Sequence, residues 1–254
     1  VPNITEYKDN MYCYKMLTGQ TMSKNNTSEN FKKLLSYLSD FWSNPIGRVN
    51  KSDFKKKCIE FYRDKTFDRL KLYFDKTDNI DSPETVNDIP IPSVYELLDK
   101  VDWDNLCEGK PSLIHGDLHF ENILVSETGD FTLLDWRQNF AGIKEYGDLY
   151  YDLAKIMHGL IVSHEIINKD LYNVEKTDDI IRFDFHRKYS LVKNEQQCIE
   201  FLHAQNMDLK KVNILTALIY LNIAPLHHFP YSELLFYLGK TKLFEEINNE
   251  SCSD

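Results

Sequence analysis

Cysteine is scarce in this chain of 254 residues, and its five cysteines are widely spaced without a Cys-x-x-Cys pair. An odd, scattered set argues against a disulfide framework and against a cysteine-based zinc site. Basic residues are also in the minority, with 30 against 40 acidic ones and a net charge of −10, which disfavours nucleic acid as a partner. Cysteines in this odd, scattered arrangement fit reduced thiols, which predicts a cytoplasmic protein.

Glycine and long apolar runs are also limited. The nine glycines form no Gly-x-Gly-x-x-Gly pattern, so the chain lacks a glycine-rich phosphate-covering loop. The longest apolar run, 214–225, contains Thr216 and Asn222 and is shorter than the ~18 residues needed to cross a bilayer. With 42% hydrophobic and 28% charged residues, the composition is that of a globular protein without a membrane partner.

Apolar spacing predicts a mainly helical chain with few strands. The predicted helices cover 31–42, 52–74, 93–98, 194–203 and 210–226. A short aromatic run predicts a strand over 12–17, and a second strand is predicted in an inserted hairpin over 180–185. Polar and proline-rich composition predicts a loop over 77–92.

The segment 113–155 carries the informative pattern. It contains His115-Gly116-Asp117-x-x-x-x-Asn122, an apolar run, a polar turn over 126–130, and a second apolar run that ends at Asp135. Two apolar runs around a polar turn predict a β-hairpin. A turn centred on residues 128 and 129 would place Asn122 opposite Asp135, where their oxygen atoms can share one Mg²⁺.

This arrangement meets the requirements of phosphoryl transfer. Asp117 lies five residues before Asn122, on the loop that leads into the hairpin, where a carboxylate can orient an attacking hydroxyl. An asparagine and an aspartate can then hold the metal that bridges the phosphates. The spacing of Asp117 and Asn122 equals that of the protein-kinase catalytic loop, with Gly116 in place of arginine.

Three ordered blocks give the chain a resemblance to the aminoglycoside phosphotransferase and choline kinase superfamily of small-molecule phosphotransferases. The blocks are His115 to Asn122, Asp135-Trp136, and Gly147-Asp148 to Asp152-Leu153-Ala154. The resemblance implies that Asp117 is the catalytic carboxylate and that Asn122 and Asp135 bind Mg²⁺. It also implies a hinge that receives the adenine of ATP or GTP, formed by Tyr14, Lys15, Met16 and Leu17.

The resemblance further implies an α+β, protein-kinase-like fold. Residues 1–23 would be the end of an N-terminal lobe and the hinge strand, and residues 24–254 a mainly helical C-terminal lobe with the catalytic hairpin and metal site in 113–155. Only ten residues precede the hinge strand at Met11, and the chain opens on valine. We therefore expect the N-terminal β lobe, with its phosphate-pairing lysine, to be missing from this sequence and to belong to the complete protein.

Six further residues are candidates for supporting roles. His115, Asp148 and Asp152 are expected to position the catalytic loop, Asp148 as a helix cap. Arg137, His119 and Trp136 are candidates for substrate contact, although Arg137 is equally consistent with a salt-bridged surface arginine. An arginine suits an anionic or hydroxyl-rich group.

The expected activity is transfer of the γ-phosphate of ATP or GTP to a hydroxyl of a small molecule. A sugar or surface-polysaccharide precursor is favoured as the acceptor, because Asp135-Trp136-Arg137-Gln138 replaces the Asp-Phe-Glu-Tyr run of choline kinases. One alternative is a nucleotide-binding pseudokinase or scaffold without turnover. The other is a kinase that acts on choline, ethanolamine or an aminoglycoside.

Overall fold

Ten helices dominate the part of the chain that the structure describes. The computed structural model describes residues 4–9, 11–77 and 79–248. The helices are α1 (Ser28–Trp42), α2 (Lys51–Ile59), α3 (Lys65–Thr77), α4 (Val94–Asp99), α5 (Trp103–Leu106), α6 (Leu149–Ile161), α7 (His164–Asn168), α8 (Tyr189–Ala204), α9 (Leu209–Ile223) and α10 (Tyr231–Asn248).

Eleven short strands in the described residues form four small sheets. They are β1 (Ile4–Lys8), β2 (Met11–Tyr14), β3 (Gln20–Thr21), β4 (Glu84–Val86), β5 (Ile89–Ile91), β6 (Pro111–Ser112), β7 (Ile123–Val125), β8 (Phe131–Leu133), β9 (Gly147–Asp148), β10 (Tyr172–Thr177) and β11 (Ile180–Phe185). The strand orders are β1-β2, β3-β7-β8, β6-β9 and β10-β11-β4-β5. The predicted α+β architecture, mainly helical with a small catalytic hairpin, is confirmed.

The predicted helices all occur, and their apolar faces explain why. In α1 the side chains of Phe31, Leu34 and Leu38 are fully buried, and the hydroxyl of Thr27 accepts the backbone N–H of Asn30 as the N-cap. The helix predicted over 52–74 is α2 and α3 joined by one π-helical turn, Glu60–Asp64. That turn adds a residue to the helix and buries the adjacent pair Phe61 and Tyr62 against the catalytic segment.

Helix α9 forms the centre of the core, between α6 and α10. The window Leu209–Leu226 is long and apolar enough to cross a membrane by those two criteria, and 67% of it is buried inside the protein. The apolar run over 214–225 lies inside this window, which also includes Lys210, Lys211 and the 3-10 turn Ala224–Leu226. Burial on most sides explains why this helix is apolar all round.

The loop predicted over 77–92 contains two strands, β4 and β5, and this prediction was wrong. Each strand has three residues, too few to show an alternating pattern, and Pro90 lies inside β5. Strand β4 pairs in parallel with β11 of the predicted hairpin, so the pairing depends on a segment almost 100 residues away. The carboxylate of Glu84 in β4 accepts hydrogen bonds from Lys240 and Tyr237 of α10, which fixes the sheet on the core.

The predicted β-hairpin is confirmed, but its register differs from the prediction by one residue. Val125 pairs with Phe131 and Ile123 with Leu133, so Asn122 lies opposite Leu134 rather than Asp135. The reason is the turn, which is a three-residue loop with Gly129 at a φ of +87° rather than a two-residue turn. The loop is closed by the N–H of residue 126 donating to the carbonyl of residue 130.

The predicted hinge strand is shorter than expected. Strand β2 ends at Tyr14, and residues 15–18 have no regular structure. Strand β2 pairs with β1 in an exposed two-stranded ribbon, whereas the short strand β3 joins the catalytic hairpin through β7. The segment 12–17 was predicted from its apolar and aromatic composition, which does not show where the pairing ends.

Candidate active site

The catalytic loop is held by the buried carboxylate of Asp152 in α6. One oxygen of this carboxylate accepts the backbone N–H of Gly116 at 2.8 Å, and the other accepts the N–H of His115 at 2.8 Å and the indole N–H of Trp42 at 3.0 Å. Burial raises the pKa of Asp152 to about 6, against the opposing effect of these three donors. Asp152 therefore ties the loop to α6 and α1.

His115 is fully buried and fixes the loop from inside. Its Nε2 donates to the carbonyl of Leu134 at 2.7 Å, and its Nδ1 accepts the backbone N–H of Asp117 at 3.2 Å. Burial lowers the pKa of the His115 imidazole, so the neutral ring supplies one donor and one acceptor. This geometry suits the predicted positioning role and leaves no free nitrogen for proton transfer.

Gly116 has a structural reason to replace the arginine of the protein-kinase loop. Its φ is +78°, and a Cβ atom at this position would lie 2.7 Å from Cβ of Arg137. Arg137 donates through Nε to the carbonyl of Gly116 at 3.0 Å, and its guanidinium carbon lies 5.1 Å from the ring centroid of Phe61. Arg137 therefore braces the loop and is also available to a ligand at the rim of the site.

Asp148 is the N-cap of α6 and is fully buried. Its carboxylate accepts the backbone N–H groups of Tyr150 and Lys110 and the hydroxyl of Tyr62 at 2.8 Å. Burial raises the pKa of Asp148. The helix-cap interpretation of Asp148 fits this geometry, and the bonds to Tyr62 and Lys110 attach the π-helical turn and the residue before β6 to the start of α6.

Asp117 forms an ion pair with a lysine that the sequence analysis missed. Nζ of Lys155 lies 2.8 Å from Oδ1 of Asp117, and Nε2 of His119 lies 3.6 Å from its Oδ2. Burial alone would raise the pKa of Asp117, but the charge and hydrogen bond of Lys155 and the charges of His119 and Arg137 outweigh it and lower the pKa. The carboxylate is therefore ionised at neutral pH and can accept a hydrogen bond from a hydroxyl.

Lys155 was detectable from its spacing. It follows Asp148 by seven residues and Asp152 by three, which places all three on one face of α6. Lys155 is almost completely buried, and a buried cation requires an anionic partner. The pattern predicts that Lys155 has an anionic partner. It does not identify Asp117 as that partner, because Asp117 is 38 residues away in the sequence.

Asn122 and Asp135 have the chemistry of a magnesium site. Nδ2 of Asn122 donates to the carbonyl of Asp117 at 3.1 Å, which links the proposed catalytic residue to the proposed metal ligand and leaves the amide oxygen as the ligand atom. Asp135 lies two residues after the end of β8 and has a φ of +53°, so the alternation of the strand no longer sets the direction of its side chain. An amide oxygen and an exposed carboxylate are hard ligands that fit Mg²⁺.

Asp117 and Lys155 lie between two cavities. A cleft of ≈ 1030 Å³, here called the large cleft, is lined on the side of the catalytic residues by Asp117, His119, Glu121, Lys155, His158 and His164. A pocket of ≈ 140 Å³, here called the small pocket, is lined on its polar and aromatic side by Phe61, Lys65, Arg69, Asp117, Arg137, Tyr151 and Lys155. Both cavities reach the same carboxylate.

Four cations surround the small pocket, and one of them is strongly perturbed. Burial, together with the charges of Arg137, Arg69 and Lys155, lowers the pKa of Lys65 to about 7. Nζ of Lys65 lies 4.3 Å from the ring centroid of Phe61, a cation–π contact. An excess of positive charge beside the carboxylate of Asp117 is the environment of an anion-binding site.

The remaining predicted residues lie at different distances from this site. His119 lines the large cleft, in keeping with a substrate contact. Trp136 does not line either cavity: its ring packs against Phe41 and His115, and its indole N–H donates to the carbonyl of Leu133. Its apolar ring packs the hairpin onto α1, so the substrate role predicted for Trp136 has no support in this geometry and stays a prediction.

The predicted hinge residues are mostly exposed. Met16 is 87% exposed and Tyr14 42% exposed, while Leu17 is half-buried and Lys15 is exposed. Tyr14 ends β2 of the exposed ribbon, and residues 15–17 lie between the ribbon and β3, which pairs with β7 of the hairpin. Their adenine-binding role stays a prediction.

Comparison with known proteins agrees with this geometry. Residues 70–166 match the phosphotransferase enzyme family. The matched segment contains the loop with Asp117, the hairpin, the N-cap Asp148, and the α6 residues Asp152 and Lys155. The predicted resemblance to the kinase-like phosphotransferases is therefore confirmed over these residues.

Two solved structures resemble the chain at low identity. An ethanolamine kinase from Plasmodium vivax has 13% identity and a TM-score of 0.45, over 96% of this chain and 66% of its own. A choline kinase from Cryptosporidium parvum Iowa II has 14% identity and a TM-score of 0.49, over 98% of this chain and 73% of its own. The chain therefore spans about two thirds to three quarters of these kinases. No match is found among curated proteins.

Proposed function

We propose that the chain carries the catalytic site of a magnesium-dependent phosphotransferase, which moves the γ-phosphate of ATP or GTP to a hydroxyl of a small molecule. The observation that supports it most is the direct link between Asp117 and Asn122 on the loop that leads into the hairpin ending at Asp135. The same three residues lie inside the segment that matches the phosphotransferase family.

In this proposal each residue has a separate task. Asp117 orients the acceptor hydroxyl and accepts its proton, while Asn122 and Asp135 hold Mg²⁺, which neutralises charge on the phosphates when bound. Lys155 keeps Asp117 ionised and offers a positive charge to the phosphoryl group in transit. Most of the acceleration would come from positioning and charge stabilisation.

The charges around the small pocket support an anionic or hydroxyl-rich acceptor. Lys65, Arg69, Arg137 and Lys155 all line this pocket next to Asp117. A cationic acceptor would meet like charge there, whereas a phosphorylated or carboxylated alcohol would be attracted. We therefore retain a sugar derivative bearing negative charge as the first candidate.

An amino alcohol is the second candidate acceptor. The two similar structures are named as ethanolamine and choline kinases. The large cleft also carries the carboxylates of Glu121 and Glu165, which would accept a cationic group. An acceptor panel with choline, ethanolamine, an aminoglycoside, neutral sugars and sugar phosphates, assayed by nucleotide diphosphate release from the complete protein, separates the two candidates.

Calorimetric titration of the chain with Mg-ATP and Mg-GTP tests the metal site without knowledge of the acceptor. We expect metal-dependent binding that is lost in Asp135→Ala and retained in Glu127→Ala, an exposed acidic residue at the tip of the same hairpin. Equal affinity in wild type and Asp135→Ala would refute the metal role of Asp135. A pseudokinase would bind nucleotide in this test but give no product with any acceptor in the panel.

A further inference from the structure

Three metal-ligand side chains come together in the large cleft, beside the catalytic residue. His119 and Glu121 belong to the catalytic loop, and His164 is the first residue of α7. Nδ1 of His119 lies 3.2 Å from Oε2 of Glu121, and Nε2 of His164 lies 3.9 Å from the same oxygen. One ligand atom from each residue can be chosen so that all three lie within 4.8 Å of one another.

These separations fit a single ion. Zinc binds imidazole nitrogen and carboxylate oxygen at about 2.0–2.2 Å, so two ligands of a tetrahedral ion lie about 3.4 Å apart. The two measured separations of 3.2 and 3.9 Å bracket that value. We propose that His119, Glu121 and His164 bind one divalent transition-metal ion of the Zn²⁺ or Co²⁺ type, as a second metal site distinct from the magnesium site.

The ligand types distinguish this site from the magnesium site. Two imidazoles and one carboxylate favour zinc and its neighbours in the transition series, whereas Asn122 and Asp135 offer only oxygen and favour magnesium. The proposal therefore depends on residues that the phosphotransferase proposal does not use as ligands. Either proposal can fail while the other stands.

His119 has the contact to an outer carboxylate that metal-binding histidines commonly show. When its Nδ1 faces the ion, its Nε2 faces Oδ2 of Asp117 at 3.6 Å. A carboxylate next to the second ring nitrogen orients a ligating histidine and makes it a better ligand. Occupation of the site would therefore couple the metal to the catalytic carboxylate through one imidazole ring.

The large cleft leaves room for a further ligand. All three residues line this cleft of ≈ 1030 Å³ together with Asp117, and three protein ligands with an open position are typical of zinc sites that bind a small molecule. An anionic or hydroxyl group of a small molecule in the cleft would complete the coordination. The small molecule expected at the open position of the metal is therefore one with an oxygen donor that binds a transition metal.

Titration with Co²⁺ alone, followed by its visible absorption bands, tests the site. We expect one Co²⁺ ion per chain, displaced by an equivalent of Zn²⁺ and not by millimolar Mg²⁺. His164→Ala should weaken binding at least tenfold, and Glu121→Gln should do the same. Because His164 is 57% exposed, its substitution tests the site even if Glu121→Gln does not fold.

Two control variants make the outcome decisive. His203→Ala removes an exposed histidine at the end of α8 and should leave Co²⁺ affinity unchanged. Asp135→Ala removes the proposed magnesium ligand and should also leave it unchanged. Affinity that is unchanged in His164→Ala, or is lost in Asp135→Ala, would overturn the proposal, since the ion would then lie elsewhere.

Discussion

The catalytic segment 113–155 and the N-terminal ribbon β1–β2 are built in opposite ways. In the catalytic segment, Asp148 and Asp152 are fully buried and each accepts three hydrogen bonds from groups on several elements. The ribbon is paired with itself in the described residues. Its aromatic side chains face solvent, with Tyr7 86% exposed and Tyr12 64% exposed.

This contrast shows which part of the chain has its geometry fixed by buried polar groups. A buried carboxylate must be fully hydrogen-bonded to be tolerated, so its partners are held in place. The loop that carries Asp117 acquires its geometry from such bonds, whereas the ribbon receives no comparable restraint from the described residues. Substitutions of the buried, hydrogen-bonded residues of the segment should therefore have large effects, and substitutions in the ribbon small ones.

The largest effect is expected from Asp117→Asn. The amide keeps the shape of the side chain but cannot accept the proton of the acceptor and cannot pair with Lys155, so kcat should fall about 10²- to 10⁴-fold. Nucleotide affinity should be largely retained, because Asn122 and Asp135 are intact. Steady-state kinetics of the complete protein with its acceptor, together with calorimetry, measures both quantities.

The matched control for this variant is Asp130→Asn in the exposed turn of the hairpin. Its turnover should equal that of the wild type. Unchanged kcat in Asp117→Asn would remove Asp117 from the mechanism, whereas an equal loss in both variants would point to a damaged hairpin.

The next largest effect, a loss of stability, is expected from Asp152→Ala. The substitution leaves the N–H groups of His115, Gly116 and Trp42 without their acceptor, and each unsatisfied donor costs about 1–3 kcal/mol. We therefore expect the free energy of unfolding to fall by at least ~3 kcal/mol, measured by urea denaturation. A loss below ~1 kcal/mol would show that the loop does not depend on this anchor.

The same residue gives the protein a pH dependence. The pKa of Asp152 is raised from its ordinary value of 3.8 to about 6 in the folded state. A carboxyl with a raised folded pKa contributes stability that is present below pH 4 and is lost as pH rises through about 6. The difference in unfolding free energy between wild type and Asp152→Asn should therefore fall between pH 4 and 6, and a flat difference would contradict the shifted pKa.

A smaller effect is expected from Lys65→Gln at the small pocket. With a pKa of about 7, Lys65 is charged mainly below neutral pH, so the KM for an anionic acceptor should rise as pH increases above 7. Removal of the charge should raise this KM about fivefold at pH 6, which corresponds to ~1 kcal/mol. Lys71→Gln, on an exposed face of the same helix, is the control.

The interpretation of the small pocket as an anion-binding site would be contradicted if Lys65→Gln had the same KM as the wild type for an anionic acceptor as well as for a neutral one. A lower KM for choline or ethanolamine in Lys65→Gln would instead favour the amino-alcohol candidate. Either result distinguishes an anionic acceptor from an amino alcohol by the charge of the acceptor alone.

Most of the catalytic segment can be predicted from the sequence because the residues that form its motif lie close together along the chain. The spacing of Asp117 and Asn122 and the apolar runs of the hairpin follow from local rules, and so does the Asp148 cap of α6. The register was missed by one residue because a three-residue loop and a two-residue turn contain the same polar residues. The left-handed φ of Gly129, which decides between them, is a property of the fold.

Contacts between distant segments were not predictable from one sequence. The partners Lys155 and Asp117 lie on different elements, and His164 joins His119 only because α7 packs beside the catalytic loop. The strands β4 and β5 were missed for the same reason, since β4 pairs with β11. The spacing of polar residues predicts which face of a helix is polar, but it does not predict which segment of the chain that face contacts.

The smallest effect is expected from Tyr12→Ala in the ribbon. The ring stacks on Tyr14 at 6.2 Å but remains 64% exposed, so its removal should change the free energy of unfolding by no more than ~0.5 kcal/mol. Tyr62→Phe is the opposite case, because it removes one hydroxyl from the buried carboxylate of Asp148 and should cost about 1–3 kcal/mol. If urea denaturation instead gave the larger loss for Tyr12→Ala, the ribbon would contribute to folding as the catalytic segment does, and the contrast between the two regions would be wrong.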